Sequence, residues 1–371
     1  MAVPLRIEQV LTFGVEEEFV LADASSRITV PRAPEVLEKM TRQLGPRAQQ
    51  EFYATQVEIN SKPHLSAAKL RTDLAEARRI AADAAADASC LLVASGTAVL
   101  TPGSLAVMDE PRYHRMATRF ASLVASSDSE LSGCHVHVGT VDPGEALAVS
   151  AGLRPWLPVV QALAANSPFS AGRDRGCASW RGMDYRRWPT VGPAPALDEA
   201  GYEAAVAGLV ASGTILDRKM LLWYARPSDR WPTLEVRVTD VNADLDVTML
   251  VAVLVRALAT TVLAEVRAGV KPEQIADAQL VDAHDQAARH GMDAFAANPA
   301  GERVPMTTRL AELTDRALPG LRAAGDVDLA YRLMDAVYAH RTGAERQRAW
   351  FAARSSLADV VDNLARTAVT P

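Results

Sequence analysis

The feature that most limits the fold is a short segment, residues 13–19, in which three consecutive acids lie between large apolar residues. Charge is costly to bury without a partner, so this segment does not suit an ordinary core strand. Strand side chains alternate between two faces, which places Glu17 on one face and Glu16 and Glu18 on the other. The two like-facing carboxylates lie roughly 6.6–7 Å apart and repel each other unless a cation lies between them. The alternative is an edge strand with solvated acids.

Three later segments, residues 52–60, 133–139 and 233–239, repeat this alternation of apolar and polar positions. Their polar faces carry Gln56, Glu58 and Asn60, then His135 and His137, then Glu235 and Arg237. Four such strands predict an antiparallel sheet with one face on the core and one open face. A His-x-His pair alone is more often structural, and a Glu-Val-Arg-Val run alone is commonly a cross-strand ion pair. Because all four strands carry acids, imidazoles or arginine on their polar faces, the four strands together indicate a site that binds a ligand.

The residue types on the open face indicate which ligands it would bind. Carboxylates in number, with few cysteines, select hard cations such as Mg²⁺ or Mn²⁺. Mg²⁺ held by protein carboxylates and substrate phosphates is the usual arrangement at ATP sites. Arg237 next to Glu235 suits a transferring phosphoryl group held between cation and guanidinium.

Composition excludes several other classes of protein. The formal charge of −6, from 39 basic and 45 acidic residues, and the lack of a basic stripe argue against a nucleic-acid partner. The apolar run 247–266 is about long enough to span a bilayer, but Arg256 in its middle favours a buried helix of a soluble protein without a membrane partner. Three widely spaced cysteines fit a reducing compartment, so we expect a cytoplasmic protein. The sequence contains no P-loop, G-x-S-x-G, CxxC or H-E-x-x-H motif.

The coarse pattern of the chain predicts a single domain over residues 1–371 that is mostly helical from about 246 onwards. This helical part offers surface for self-association, so a homo-oligomer is one expected state. The least regular stretch, residues 167–195, is rich in arginine and tryptophan. A long loop of this composition inside a compact domain favours a functional lid over a disordered segment.

Taken together, these segments resemble the glutamate–cysteine ligase type 2, or carboxylate–amine ligase, family, whose catalytic fold is related to glutamine synthetase. The matching pieces are Gly14-Val15-Glu16-Glu17-Glu18-Phe19, Gln56-Val57-Glu58, His135-Val136-His137-Val138-Gly139, Ala165-Asn166-Ser167-Pro168-Phe169, Gly172-Arg173-Asp174, Ala178-Ser179-Trp180-Arg181, Thr233-Leu234-Glu235-Val236-Arg237-Val238-Thr239-Asp240-Val241, Ala287-Ala288-Arg289-His290-Gly291 and Gly343-Ala344-Glu345-Arg346-Gln347. The resemblance covers essentially the whole chain, and the combination is specific although each piece is short.

The resemblance implies an α+β fold in which a curved antiparallel sheet lines an active-site cleft and helices pack on its other face, as in glutamine synthetase and guanido kinases. It implies an ATP-dependent ligase that joins a small carboxylate to a small amine, both expected to be amino acids, with ATP and Mg²⁺ or Mn²⁺ as cofactors. The implied metal ligands or their close neighbours are Glu16, Glu18, Glu58, His135 and Glu235. The implied catalytic residues are Arg237, Glu58 and Glu235, and the implied substrate or nucleotide contacts are Arg173, Arg181 and Arg289.

Two departures from the family pattern and two rival functions qualify this prediction. Ser170-Ala171 and Cys177 replace expected aromatic or amide residues in the irregular stretch, which leaves a specificity for glutamate and cysteine, and so γ-glutamylcysteine as the product, open. The first rival is a metal-dependent hydrolase with zinc on His135 and His137, although catalytic zinc usually has three protein ligands. The second is a non-catalytic protein that binds a nucleotide or an amino acid.

Overall fold

An antiparallel sheet of seven strands lies at the centre of the structure, a computed structural model that describes residues 7–140, 142–272, 275–298 and 300–370. The strands are β1 (Phe13–Asp23), β2 (Ala48–Gln50), β3 (Gln56–Asn60), β4 (Cys90–Val93), β5 (Gly133–Gly139), β6 (Phe169–Ser170), β7 (Arg173–Asp174), β8 (Ala225–Pro227), β9 (Thr233–Asp240), β10 (Phe295–Ala297) and β11 (Arg303–Pro305). The helices are α1 (Ala33–Leu44), α2 (Ala67–Ala86), α3 (Pro111–Arg119), α4 (Ala121–Ala125), α5 (Pro143–Leu153), α6 (Leu157–Leu163), α7 (Trp180–Asp184), α8 (Glu199–Ala211), α9 (Leu245–Arg267), α10 (Asp277–His290), α11 (Met306–Ala324), α12 (Val327–His340), α13 (Gly343–Arg354) and α14 (Leu357–Ala368).

The register of the large sheet brings the polar residues of separate strands into one row. The strand order is β2-β3-β1-β5-β9-β8, with β4 paired to the end of β1, and every pair is antiparallel. Glu16 of β1 lies opposite His135 of β5. Glu235 of β9 lies opposite His137 of β5 and Arg226 of β8. Because directly opposed residues share a face of the sheet, these side chains lie together on one side.

The opposite face of the sheet packs against helices α2 and α9. Glu17 points to this side, where it is fully buried and paired with Arg78 of α2. Arg78 donates from Nη2 to Oε1 at 2.5 Å and from Nε to Oε2 at 2.8 Å, and Thr248 of α9 donates to Oε1 at 3.0 Å. The predicted alternation is therefore confirmed, since Glu17 is a core residue with its own partner while Glu16 and Glu18 face the other way.

Helix α9 is the central helix of the core. It is long and apolar enough to cross a membrane, but 94% of its most apolar window is buried inside the fold. Arg256 in its middle is paired with Asp326. Helix α11 packs closely on α9 because Gly320 brings its backbone against the carbonyl of Ala257. These contacts support the interpretation of the apolar run 247–266 as a core helix.

Some local predictions were wrong. The strand predicted over 52–60 is only β3, because a turn at 54–55 interrupts its first half. The sequence also predicts a strand over 221–225 that pairs with residues 233–239, and in the structure the strand that pairs with β9 lies further along, as β8. The region beyond 246 is mostly helical, as predicted, and it also contains a hairpin of β10 and β11 that closes at Gly301, whose φ of 81° favours glycine.

One hydrophobic core joins the sheet to the C-terminal helices. Its buried residues include Leu11, ahead of β1, and Ala368, at the end of α14. We therefore propose, as the sequence predicts, a single domain over 1–371, of which residues 1–6 and 371 lie outside the described part.

Candidate active site

A cavity of about 500 Å³ lies over the polar face of the sheet. The residues that the sequence predicts for the site and that line this cavity are Glu16, Glu18, Glu58, His135, Glu235, Arg237 and Arg181. The loops and helices around the sheet complete its walls with Glu51, Phe52, Tyr53, Tyr113, Trp188 and Trp231, among others. The convergence expected from strand alternation is therefore present in the structure.

The first group of ligand-type side chains is Glu16, His135 and Glu235, hereafter the first cluster. One ligand atom from each lies within 4.8 Å of the other two. His135 Nδ1 is 3.3 Å from Glu16 Oε2 and 3.6 Å from Glu235 Oε1. Three adjacent strands, β1, β5 and β9, each supply one member, so the register of the sheet positions this cluster.

The second group, hereafter the second cluster, is Glu18, Glu51 and Glu58, whose ligand atoms also lie within 4.8 Å of one another. Glu18 accepts a hydrogen bond of 2.5 Å from the Gly133 amide through Oε2, while its Oε1 lies 3.6 Å from His135 Nε2. His135 therefore lies between the clusters, with Nδ1 toward the first and Nε2 toward the second.

The second cluster has too few cations to balance its acids. Burial, followed by repulsion from Glu18, raises the pKa of Glu51 to about 8. Burial, followed by the charges of Glu16 and Glu51, raises the pKa of Glu58 well above its usual value. Two acids with raised pKa values in one cavity indicate that a positive ligand belongs there.

The first cluster has the opposite balance. Burial would raise the pKa of Glu235, but Arg237 and Arg226 outweigh it and hold that pKa at about 2. Burial and Arg237 lower the pKa of His135, so its imidazole is neutral and can act as a ligand. For His137, contact with Glu16 outweighs burial and raises the pKa, so His137 is the less suitable ligand.

The side chains present fit a divalent cation. The buried Nε2 atom of His135 has no hydrogen-bond partner, whereas His137 Nε2 lies 3.1 Å from Glu16 Oε1. The separations of 3.3 and 3.6 Å in the first cluster match ligands about one ion, since bonds of about 2.0–2.1 Å place neighbouring ligands about 3 Å apart. Carboxylate with imidazole suits Mg²⁺ or Mn²⁺. The Arg237 guanidinium contacts Glu235 and comes within 3.5 Å of His135 Nδ1, next to this position.

Comparison of the sequence with protein families identifies the chain. A sequence profile of the glutamate–cysteine ligase family 2 (GCS2) matches residues 12–363. The chain belongs to this family. A provisionally named glutamate–cysteine ligase 2 of Salinispora arenicola is 42% identical over 340 residues, which cover 91% of this chain and 89% of that protein. Membership confirms the resemblance seen in the sequence and the predicted class of enzyme, a ligase that forms C–N bonds.

Solved structures show the same fold in distant proteins. The glutamate–cysteine ligase of Francisella tularensis, solved in complex with AMP, aligns with a TM-score of 0.70 at 11% identity, over 98% of this chain and 90% of that one. A bifunctional glutathione synthetase from Pasteurella multocida aligns with a TM-score of 0.72 at 14% identity, over 97% of this chain. The chain spans about half of that bifunctional protein, 52% of its length. The predicted α+β fold, with an antiparallel sheet along a cleft and helices behind it, is confirmed.

The three arginines predicted to contact substrate or nucleotide lie in different places. Arg181 is buried at the cavity wall, where it lies over the Tyr185 ring, 5.0 Å from its centroid, and donates to the Arg237 carbonyl at 3.3 Å. Arg173 is exposed and paired with Asp128. Arg289 is paired with Asp285 and lines a separate cavity of about 420 Å³. The structure brings Arg181, and neither of the other two, to the cavity of this GCS2 member.

The positions that depart from the family pattern also lie outside the cavity wall. Ser170 is buried in β6, and Ala171 makes a turn with φ of 49°. Cys177 is buried, and its carbonyl accepts a hydrogen bond from Arg348. In the described part of the chain, the irregular stretch reaches the main cavity through Arg181, Tyr185 and Trp188 instead.

Glu51 and Arg226 are among the charged residues of the site that were missed from the sequence. Strand alternation would place Glu51 on the face opposite Glu58, but the turn at 54–55 breaks the alternation and returns Glu51 to the cavity. Arg226 lies one residue beyond the strand predicted at 221–225, and pairing that strand correctly with β9 would have placed it opposite Glu235.

Proposed function

We propose that the chain catalyses ATP-dependent formation of an amide from a carboxylate and an amine through an acyl phosphate. The observation that carries the proposal is the arrangement of two acidic clusters in one cavity, next to Arg237, with His135 of the first cluster lying between them. The names of its relatives make glutamate the first candidate for the acid and cysteine for the amine.

The reaction consists of two displacements. A carboxylate oxygen of the acid attacks the γ-phosphorus of ATP, the bond to the β–γ bridging oxygen breaks, and ADP leaves. The amine nitrogen then attacks the acyl carbon, the bond to the phosphate oxygen breaks, and the nitrogen loses a proton as the amide forms. Divalent cations at the two clusters would neutralise charge on the phosphates and the carboxylate.

The roles of the chain's own residues follow from their positions. We assign Glu16, His135 and Glu235 to hold one cation, and Glu18, Glu51 and Glu58 to hold a second. Arg237, whose charged fork faces the first cluster, binds the transferring phosphoryl group.

The surroundings of the clusters support these roles. Arg181 donates to the backbone of Arg237 and so fixes the strand that carries it. Phe52, Tyr113 and Trp188 form an aromatic wall beside the second cluster, and such a wall excludes water from the acyl phosphate.

The two rival functions have less support. A zinc hydrolase would need His135 and His137 on one ion, but His137 contacts Glu16 and Thr233, while His135 lies among carboxylates. A non-catalytic binding protein does not require two acidic clusters next to Arg237. Within the proposal, the substrates are amino acids and the enzyme is cytoplasmic, while self-association through the C-terminal helices stays a prediction.

The test is the release of ADP and phosphate from ATP with Mg²⁺ and a panel of amino acids paired with amines, beginning with glutamate and cysteine. In Glu58→Gln we expect turnover to fall about 100-fold or more, because even partners of metal ligands contribute 10–100-fold. Glu38→Gln, which changes an exposed acid on α1, is the matched control and should keep full activity. Full turnover in Glu58→Gln would remove Glu58 from the site, and no ADP release from the wild-type protein in any pairing would contradict the function.

A further inference from the structure

Arg226 is held beside the first cluster by contacts on two sides. It lies on β8 directly opposite Glu235, and its side chain is largely buried. Its Nε donates to Glu235 Oε2 at 3.1 Å. Its Nη1 donates to the carbonyls of Arg218 and Lys219, at 3.3 Å each. The guanidinium is therefore fixed to the backbone of residues 218–219 and at the same time binds the Glu235 carboxylate on β9.

The two arginines near Glu235 hold different oxygens of its carboxylate. Arg226 binds Oε2, whereas Arg237 contacts Oε1. Oε1 is also the oxygen that lies 3.6 Å from His135 Nδ1 and takes part in the first cluster. Arg226 thus fixes the rotation of the carboxylate so that one oxygen points away from the cluster and the other points into it.

We propose that Arg226 is a positioning residue that orients Glu235 as a metal ligand, an inference that rests on the proposed function. Groups that hydrogen-bond to a metal ligand on the side away from the metal contribute about 10–100-fold to metal affinity or activity, because they fix the direction of that ligand. The fork of arginine can hold a carboxylate and two carbonyls at once, and the single ammonium of lysine cannot reproduce that geometry.

The charge of Arg226 and its hydrogen bonds to Glu235 should have opposite effects on the affinity of the first cluster for a cation. A positive charge close to a cation site repels the incoming cation. If Arg226 acted through charge alone, Arg226→Gln would bind Mn²⁺ more tightly than the wild type, and Arg226→Lys would bind it equally well. If Arg226 positions Glu235, both variants bind Mn²⁺ more weakly. The sign of the change therefore separates the two effects.

The experiment is a titration of the full-length protein with Mn²⁺ in the absence of nucleotide, followed by electron paramagnetic resonance of the free ion. We expect the dissociation constant of Arg226→Lys to rise about 10-fold or more. Arg218→Lys is the matched control, since this neighbouring arginine is exposed and pairs with Glu203 and Asp229, and it should bind Mn²⁺ like the wild type. Unchanged or tighter binding in both Arg226 variants would overturn the inference.

Two further outcomes are distinguishable from these. Absence of Mn²⁺ binding in the wild-type protein would contradict the metal sites of the proposed function, and the positioning role with them. Binding in the wild type that is matched by an unchanged dissociation constant in Arg226→Lys would contradict the positioning role alone. Failure of Arg226→Lys to fold, judged by circular dichroism, would also overturn the inference, because it would assign Arg226 a structural role.

Discussion

The substitution Glu17→Gln should destabilise the protein, although the same change at Glu58 should not. Both acids are buried and lie on neighbouring strands of one sheet. Glu17 faces the core and is paired through both oxygens with Arg78, while Glu58 faces the cavity among other acids. The two substitutions make the same nearly isosteric change of a carboxyl group to an amide, so a difference between them reports the face on which each acid lies.

The expected size of the effect follows from the contacts of Arg78. Removing one partner of a buried ion pair costs about 3–5 kcal/mol, because the other charge is left without compensation. Glutamine keeps one oxygen to accept from Arg78, and the carbonyls of Asn242 and Ala243 still accept from it at 2.8 Å, so we expect about 3 kcal/mol. For 371 residues the unfolding entropy is about 0.8 kcal/mol per K, which makes the expected fall in Tm about 4 °C.

The assay is differential scanning calorimetry of the wild type, Glu17→Gln and Glu58→Gln at pH 7 in EDTA. Glu58→Gln should keep or raise the Tm, because its pKa is raised by burial and like charges and a neutral side chain removes that penalty. An unchanged Tm in Glu17→Gln, or a comparable fall in Glu58→Gln, would refute the argument from strand alternation.

Two further predictions concern pH and packing. Without divalent cations, the contribution of Glu51 to stability should fall as pH rises from about 5 to 8: its folded pKa of about 8 lies above its usual value, so the unfolded chain releases the proton first. Unfolding by guanidinium chloride in EDTA should show this fall in stability in the wild type and a smaller fall in Glu51→Gln. Addition of Mn²⁺ should suppress the fall in the wild type. Identical pH profiles of stability for the two proteins would contradict the prediction. Gly320→Ala should cost about 2–3 kcal/mol, because a Cβ there would lie 2.0 Å from the Ala257 carbonyl oxygen and force α11 away from α9. Thermal unfolding tests this, with Gly208→Ala, whose Cβ would meet nothing within 4 Å, as the control.

Strand alternation was sufficient to predict the regular part of the site. It separated Glu17 from Glu16 and Glu18, and it placed His135 and Glu235 on the same face, because a regular strand repeats every two residues. Strand alternation did not predict Glu51 as a site residue, because Glu51 lies before the turn at 54–55 and the two-residue repeat of a strand does not continue through a turn. The walls formed by Trp188 and Trp231 come from loops, whose course depends on tertiary contacts that no local pattern records.

The position of Arg289 shows why a matching motif does not by itself make a side chain a ligand. The amide of Ala178 donates to the carbonyls of Ala288 and Arg289, at 3.1 and 2.9 Å, and the amide of Ser179 donates to that of Ala288 at 2.8 Å. The end of α10 thereby anchors the start of α7, which carries Arg181 to the cavity wall.

The same anchor reaches the sheet through a hydroxyl group. Ser179 donates from Oγ to Asp240 at 2.9 Å, at the end of the strand that also carries Glu235 and Arg237. The backbone of the motif around Arg289 thus supports the site from behind, while the side chain of Arg289 binds Asp285. A sequence motif records both kinds of position alike, so only the fold separates the residues that face a substrate from those that hold the chain in place.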